Sequence, residues 1–114
     1  MLPRKYRLNN YLDIEKIKKE GKPLTSNHFS LLFLDRNDDK RVRVGFVVSK
    51  KISNRAVVRN KVKRRLSEAF RTVIEKINCN CDFLVLSKKS IVDLKKDELI
   101  GEINAILRKE NLIK

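Results

Sequence analysis

"NRAVVRNKVKRRLSEAF", residues 54–70, carries six cations from Arg55 to Arg65 and an apolar residue every three or four positions. That spacing predicts an amphipathic helix, with Ser53 or Asn54 as its N-terminal cap. At roughly 100° per residue, Val58, Val62, Leu66, Ala69, Phe70, Val73, Ile74 and Ile77 gather in one broad arc that must face a core. Lys61, Arg64 and Arg71 point away from the arc and Arg65 borders it, as a solvated face allows. Arg55, Arg59 and Lys63 are different. Spaced i, i+4, i+8, they form a stripe inside the arc that apolar residues fill further along. Burying three unpaired cations against a sheet is very costly, and no acidic residue lies between Lys40 and Arg65 to pair with them. The first turns of the helix are therefore expected to overhang the sheet, leaving the stripe on a ledge beside Lys50 and Lys51.

Outward from this helix, "HFSLLFL" (28–34) and "VRVGFVVS" (42–49) are apolar runs of strand length across the polar turn "DRNDDKR" (35–41). They read as an antiparallel hairpin. Val42, Val44, Phe46 and Val48 alternate onto one face, and Arg43, Gly45 and Val47 share the other. Gly45 leaves that second face flat enough for something to approach the backbone. A further short strand fits near Lys50–Ile52. "DFLVLS" (82–87) is apolar throughout its middle and reads as a central strand.

The basic start "MLPRKYRLNN" reads as extended, and Asn10 can cap a helix that Gly21 stops, with Tyr11, Ile14 and Ile17 on one face. "KPLTSN" (22–27) and "KKSIVDLKKD" (88–97) read as connections. "ELIGEINAILRKE" closes the chain as a helix with Leu99, Ile103, Ile106 and Leu107 on one side, although Gly101 costs it about 1 kcal/mol relative to Ala. The expected order is α-β-β-(β)-α-β-α in a single domain, 1–114. That is an α+β fold, a two-layer sandwich with helices over a sheet of four strands at most.

Twenty-eight Lys and Arg against 14 Asp and Glu give a net charge of +14, which suits a polyanion whose released counterions drive binding. A basic membrane helix normally carries Trp or several Phe on its apolar face, and this chain has no Trp. Nucleic acid is the better fit. The absence of an 18-residue apolar span and of a signal-peptide core makes the cytoplasm the default location. Cys79 and Cys81 are too close for an ordinary disulfide. With His28 the only histidine, they cannot complete a zinc site. Asp35, Asp38 and Asp39 are explained by turn chemistry, and one histidine cannot form an acid–base pair, so the polypeptide is expected to be catalytically silent. The ledge, by contrast, suits phosphates, with Asn60 able to bond a base edge or sugar.

"VGFVVSKKISNRAVVRNKVKRRLSEAF" (44–70) resembles the protein component of bacterial ribonuclease P. The family's signature looks like R-N-R-x-x-K-R or a close variant, which Arg59-Asn60-Lys61 and then Lys63-Arg64 follow in spirit rather than letter by letter after the "SKK" strand end, and the likeness extends to "PRKYRLNNYLDIEKIKKEG" and "DFLVLSKKSIVDL". The resemblance implies a left-handed crossover around the basic helix. It also implies a ribonucleoprotein that removes the 5′ leader of precursor tRNA by hydrolysis. Mg²⁺ is then required by the RNA-containing enzyme, and no cofactor or metal is assigned to the polypeptide. The partners implied are ribonuclease P RNA and precursor tRNA, with no membrane and no small-molecule substrate. Lys50, Lys51, Arg55, Arg59, Asn60, Lys61, Lys63, Arg64 and Arg65 would face the RNA subunit. Tyr11, Ile14, Phe29, Phe46 and Ser49 would meet the leader on the open sheet face beside the first helix. Lys61 stands where the family often has Arg, and Ile14 and Lys18 stand where it often has aromatics, so stacking from that helix falls to Tyr11 or is lost. The rival class is a structural RNA-binding protein of ribosomal type.

Overall fold

The computed structural model of the chain describes residues 2–36 and 41–113. Its elements are α1 (Tyr11–Glu20), β1 (Lys22–Thr25), β2 (Phe29–Asp35), β3 (Arg43–Val47), α2 (Ala56–Val73), β4 (Cys81–Ser87) and α3 (Lys96–Lys109). Short 3-10 turns lie at Arg4–Tyr6, Ile74–Lys76 and Lys89–Asp93. This is the α+β architecture expected, on a four-stranded sheet ordered β1-β2-β4-β3.

The strand order departs from the expected hairpin. β2 and β3 are not neighbours, because β4 lies between them, antiparallel to β2 and parallel to β3. The reason lies in β4. Its residues Cys81–Val85 are all buried, and a strand apolar on both faces is satisfied only in the middle of a covered sheet. Parallel neighbours need a long crossover, which α2 supplies between β3 and β4. The fourth strand is β1, paired with β2 from Lys22 opposite Phe33 to Thr25 opposite Ser30. Residues 50–52 instead form a turn, closed by the Ile52 N–H on the Ser49 carbonyl at 3.0 Å. β1 escapes a sequence reading because Leu24 alone of its four residues is buried. Its Pro23 is tolerated because β1 is an edge strand.

Alternation along the strands divides the molecule into two packed faces. On one, Phe29, Leu31, Val44, Phe83 and Val85 meet Leu66, Phe70 and Val73 of α2 and Leu99, Ile103 and Leu107 of α3. On the other, Leu84 packs with Ile17 of α1 and Leu8, flanked by half-buried Ile14, Leu32, Leu34, Val47 and Leu86. Asn10 caps α1 as expected, its Oδ1 accepting the Leu12 N–H at 2.9 Å and the Asp13 N–H at 3.4 Å. Gly45 does admit a neighbour, and that neighbour is the chain's own start. A Cβ there would stand 2.9 Å from the Leu8 carbonyl oxygen, while the Leu8 N–H donates to the Val44 carbonyl at 3.0 Å. The basic N-terminal segment thus lies along the free edge of β3.

Two polar networks tie the layers together. Asp82 of β4 is 3% exposed. Arg43 of β3 reaches its two oxygens through Nε and Nη2 at 2.9 Å each, and Arg36 donates to it as well. The remaining fork of Arg43, Nη1, meets Asp13 of α1 at 3.0 Å, and the hydrogen bond to Asp82 holds the Arg43 pKa above its ordinary value. At the far side of the sheet, Glu102 of α3 accepts the Ser26 hydroxyl, the His28 N–H at 2.9 Å and a contact with His28 Nδ1 at 2.7 Å.

Burial alone would raise the Glu102 pKa, but these three partners outweigh it and hold the carboxyl below its ordinary value. A depressed carboxylate contributes stability that is fully present above its unfolded pKa and is lost as pH falls through the folded value. Urea unfolding followed from pH 7 down to pH 3 is expected to show a loss of stability in the acid range that Glu102→Gln removes in part. Identical pH profiles for the two proteins would rule this contribution out.

Cys79 and Cys81 are joined by a disulfide, against expectation. With Asn80 between them their Cα atoms stand 5.4 Å apart, inside the usual range for a bridge. Asp38 and Asp39, assigned to the turn after Asp35, lie outside the described residues. Among the described residues, no helix is long and apolar enough to cross a membrane.

Candidate nucleic-acid interface

The N-terminal turns of α2 overhang the sheet. Its first buried residue is Val62, and Val57 on the opening turn is 59% exposed. Neither Ser53 nor Asn54 is the cap. Arg55 occupies that position with no side-chain capping bond, and Ser53 Oγ instead accepts the Arg55 N–H at 3.1 Å. No acidic residue stands in the first turn, so the positive end of the helix dipole is left uncompensated.

Arg55, Asn60, Lys61, Lys63 and Arg64 are exposed, as are Ser49, Lys50 and Lys51 in the preceding turn. Arg59 is half-buried and folds back along the connection, its Nη1 donating to the Ser53 carbonyl at 2.8 Å. Among the described residues, none of these cations forms an ion pair with a carboxylate. Seven positive charges therefore share one end of the molecule with no counterion among the described residues, on the helix and the turn that leads into it.

Arg65, grouped with these cations from the sequence, has a second role. Its Nη1 donates to the carbonyls of Val92 at 3.1 Å and Leu94 at 2.8 Å, joining α2 to the segment that enters α3. A 3-10 turn leaves carbonyls without partners at its end, and a long side chain from a neighbouring helix can satisfy them. No local pattern in the sequence signals such a contact.

The five residues expected to line one surface beside α1 do not gather. Tyr11 is 72% exposed, Ile14 is half-buried on the α1 face, and Ser49 stands exposed before the ledge. Phe29 is fully buried on the opposite face of the sheet. Phe46 also lies on that side and meets Phe70 of α2 edge-on, with ring centroids 5.7 Å apart. The cause is strand parity: Phe29 and Phe46 share a face with Leu31 and Val44, so β2 and β3 offer α1 the alternate set, Leu32, Leu34 and Val47. Sequence reasoning also missed Arg7 and Asn9. The N-terminal segment brings them to Lys63 across a cleft of about 220 Å³, and their only sequence signal is the basic run "PRKYRLNN".

Comparison with known proteins agrees with this architecture. The family model described as Ribonuclease P matches residues 2–111. A ribonuclease P protein component from Bacillus velezensis is 34% identical over 113 residues, covering 99% of this chain and 96% of that protein. Another, from Alkaliphilus oremlandii, is 34% identical over 107 residues, covering 94% and 92%. Among solved structures, the RNase P protein of Staphylococcus aureus superposes with a TM-score of 0.83 at 25% identity, covering 96% of this chain and 98% of that one. The Thermotoga maritima RNase P protein does so with a TM-score of 0.78 at 31% identity, covering 90% and 96%. With its sequence matched almost end to end and its fold shared, the chain belongs to the family of bacterial ribonuclease P protein components.

Proposed function

We propose that this chain binds the RNA subunit of a ribonuclease P ribonucleoprotein through the ledge of α2 and assists removal of the 5′ leader from precursor tRNA. One observation carries the reading: the cations of the ledge have no carboxylate partner among the described residues. Unpaired cations at fixed spacing on a helix favour a phosphate backbone, whose condensed counterions are released on contact. The precursor leader would run along the face shared by α1, Leu32, Leu34 and Val47, with exposed Tyr11 offering a ring for base stacking.

The polypeptide's contribution is electrostatic and positional. It reduces phosphate repulsion between catalytic RNA and precursor and so lowers the Mg²⁺ needed for cleavage. We assign the Mg²⁺ to the RNA subunit and place no hydrolytic step on a side chain.

The test is cleavage of a 5′-extended precursor tRNA at low Mg²⁺ by a bacterial ribonuclease P RNA, by this protein, and by both. Cutting at the mature 5′ end by the mixture alone is the expected result. If the protein adds nothing and instead retains ribosomal RNA in a pull-down, it is a structural RNA-binding protein. If it cuts alone, the polypeptide is itself a nuclease.

A further inference from the structure

The i, i+4 stripe of α2 does not end with its third cation. Arg55, Arg59 and Lys63 are followed one turn later by Ser67, a polar residue within the arc that otherwise faces the core. Ser67 is only 5% exposed. Its hydroxyl has no hydrogen-bond partner among the described residues, although Thr72 on the same helix bonds back to the Ala69 carbonyl at 2.7 Å. Among the described residues the buried side-chain polar atom without a partner is Ser87 Oγ, not Ser67 Oγ, so the Ser67 hydroxyl keeps its access to solvent at a residue that is otherwise covered. Ser67 lines the cleft of about 220 Å³ between α2, the free edge of β3 and the N-terminal segment.

The other walls of that cleft are chemically distinct. Phe46, half-buried, supplies an aromatic side chain at one wall. Lys63 and Arg7 supply positive charge and Asn9 an amide. Arg7 is held in place by its Nε, which donates to the Leu2 carbonyl at 2.8 Å and leaves the rest of the guanidinium available. An aromatic wall, one unpartnered hydroxyl, an amide and two cations describe a ligand with a flat ring, a hydrogen-bonding edge and a negative charge. Proteins meet unstacked RNA bases with such a set: a ring to stack on, short polar groups for the base edge, and cations for the adjoining phosphate.

We propose that this cleft is a seat for a single unstacked nucleotide, with Phe46 against the base, Ser67 and Asn9 on its edge, and Lys63 and Arg7 on its phosphate. The inference rests on the RNA-binding reading above and adds a base-contacting site beside the phosphate-contacting ledge, with which it shares Lys63. Two sources share this chemistry, the RNA subunit and the precursor leader.

The first measurement is an amide NMR titration of the whole protein with each nucleoside 5′-monophosphate and, separately, with inorganic phosphate. Shifts at Ser67, Phe46 and Asn9 that differ from base to base, and that phosphate does not reproduce, are expected. Shifts confined to Lys63 and Arg7 and identical for phosphate would overturn the seat. The second measurement compares Ser67→Ala, and Phe46→Leu as a variant that keeps an apolar side chain in the core, with the ledge variant Arg55→Ala. Phe46→Leu is expected to weaken binding of RNA about tenfold through lost stacking, with the salt slope unchanged. Ser67→Ala is expected to narrow the difference between bases. Loss with the RNA subunit alone assigns the nucleotide to that subunit, whereas loss only for leader-bearing precursor on the assembled enzyme assigns it to the leader. If Arg55→Ala weakens RNA binding while both cleft variants bind as the parent does, the seat is refuted and the RNA-binding reading stands. If the parent protein binds no RNA, both fall together.

Discussion

Replacing Arg55 and Lys63 together by Ala will make RNA binding less salt-dependent, flattening the slope of log affinity against log salt by about 1.5 to 2. At about 0.1 M salt, this corresponds to a roughly 30- to 100-fold loss of affinity. Both side chains are exposed and neither holds another part of the protein among the described residues, so the unfolding free energy should stay within about 0.5 kcal/mol of the parent. Arg59 is the less clean probe. Its Nη1 also holds the Ser53 carbonyl, and its removal would loosen the connection to α2 as well as discharge the ledge. The measurement is a filter-binding series across salt concentrations, paired with urea unfolding. An unchanged slope with intact folding would mean that the ledge does not meet phosphates.

The largest effect on stability is expected at Asp82→Ala. Its carboxylate is nearly inaccessible and receives hydrogen bonds from both Arg36 and Arg43. Removing it leaves guanidinium groups drawn in at the end of the sheet without their main counter-charge, and breaking such a buried pair costs about 3–5 kcal/mol. A domain of this size has a total stability on the order of 5–15 kcal/mol, so the variant should be partly unfolded near room temperature or melt far below the parent. Asp13→Asn, in the same network, is the control. The Asp13 side chain is 36% exposed, water screens its pairing with Arg43, and its loss should cost under about 1 kcal/mol. Urea unfolding of the two variants separates the cases, and a cost below about 1 kcal/mol at Asp82 would show that the network does not hold the sheet end and α1 together.

Much of the site could be read without coordinates, because its logic is local. The apolar period of α2 names the residues facing the core, and the intrusion of Arg55, Arg59 and Lys63 into that arc requires an overhang, since unpaired cations are not buried. The cap at Asn10 and the central place of β4 follow in the same way, from a side chain next to its own helix and from a run too apolar for an edge. Partner choice was not legible. An apolar run states that it needs neighbours without saying which. The polar turn after β2 therefore suggested a hairpin, although β4, arriving more than thirty residues later, takes the position between β2 and β3.

Once β4 lies there, parity alone assigns Phe29 and Phe46 to the α2 face and Leu32 and Val47 to the α1 face. Leu8 over Gly45, Arg65 on the carbonyls before α3, and the Asp13–Arg43–Asp82–Arg36 cluster likewise join residues distant in the chain. Periodicity and charge along the chain thus establish which faces must be covered and where positive charge must stay in water. Which distant segment does the covering is settled only when competing non-local contacts are compared in three dimensions, because a contact's energy depends on both partners and the sequence pattern describes them one at a time.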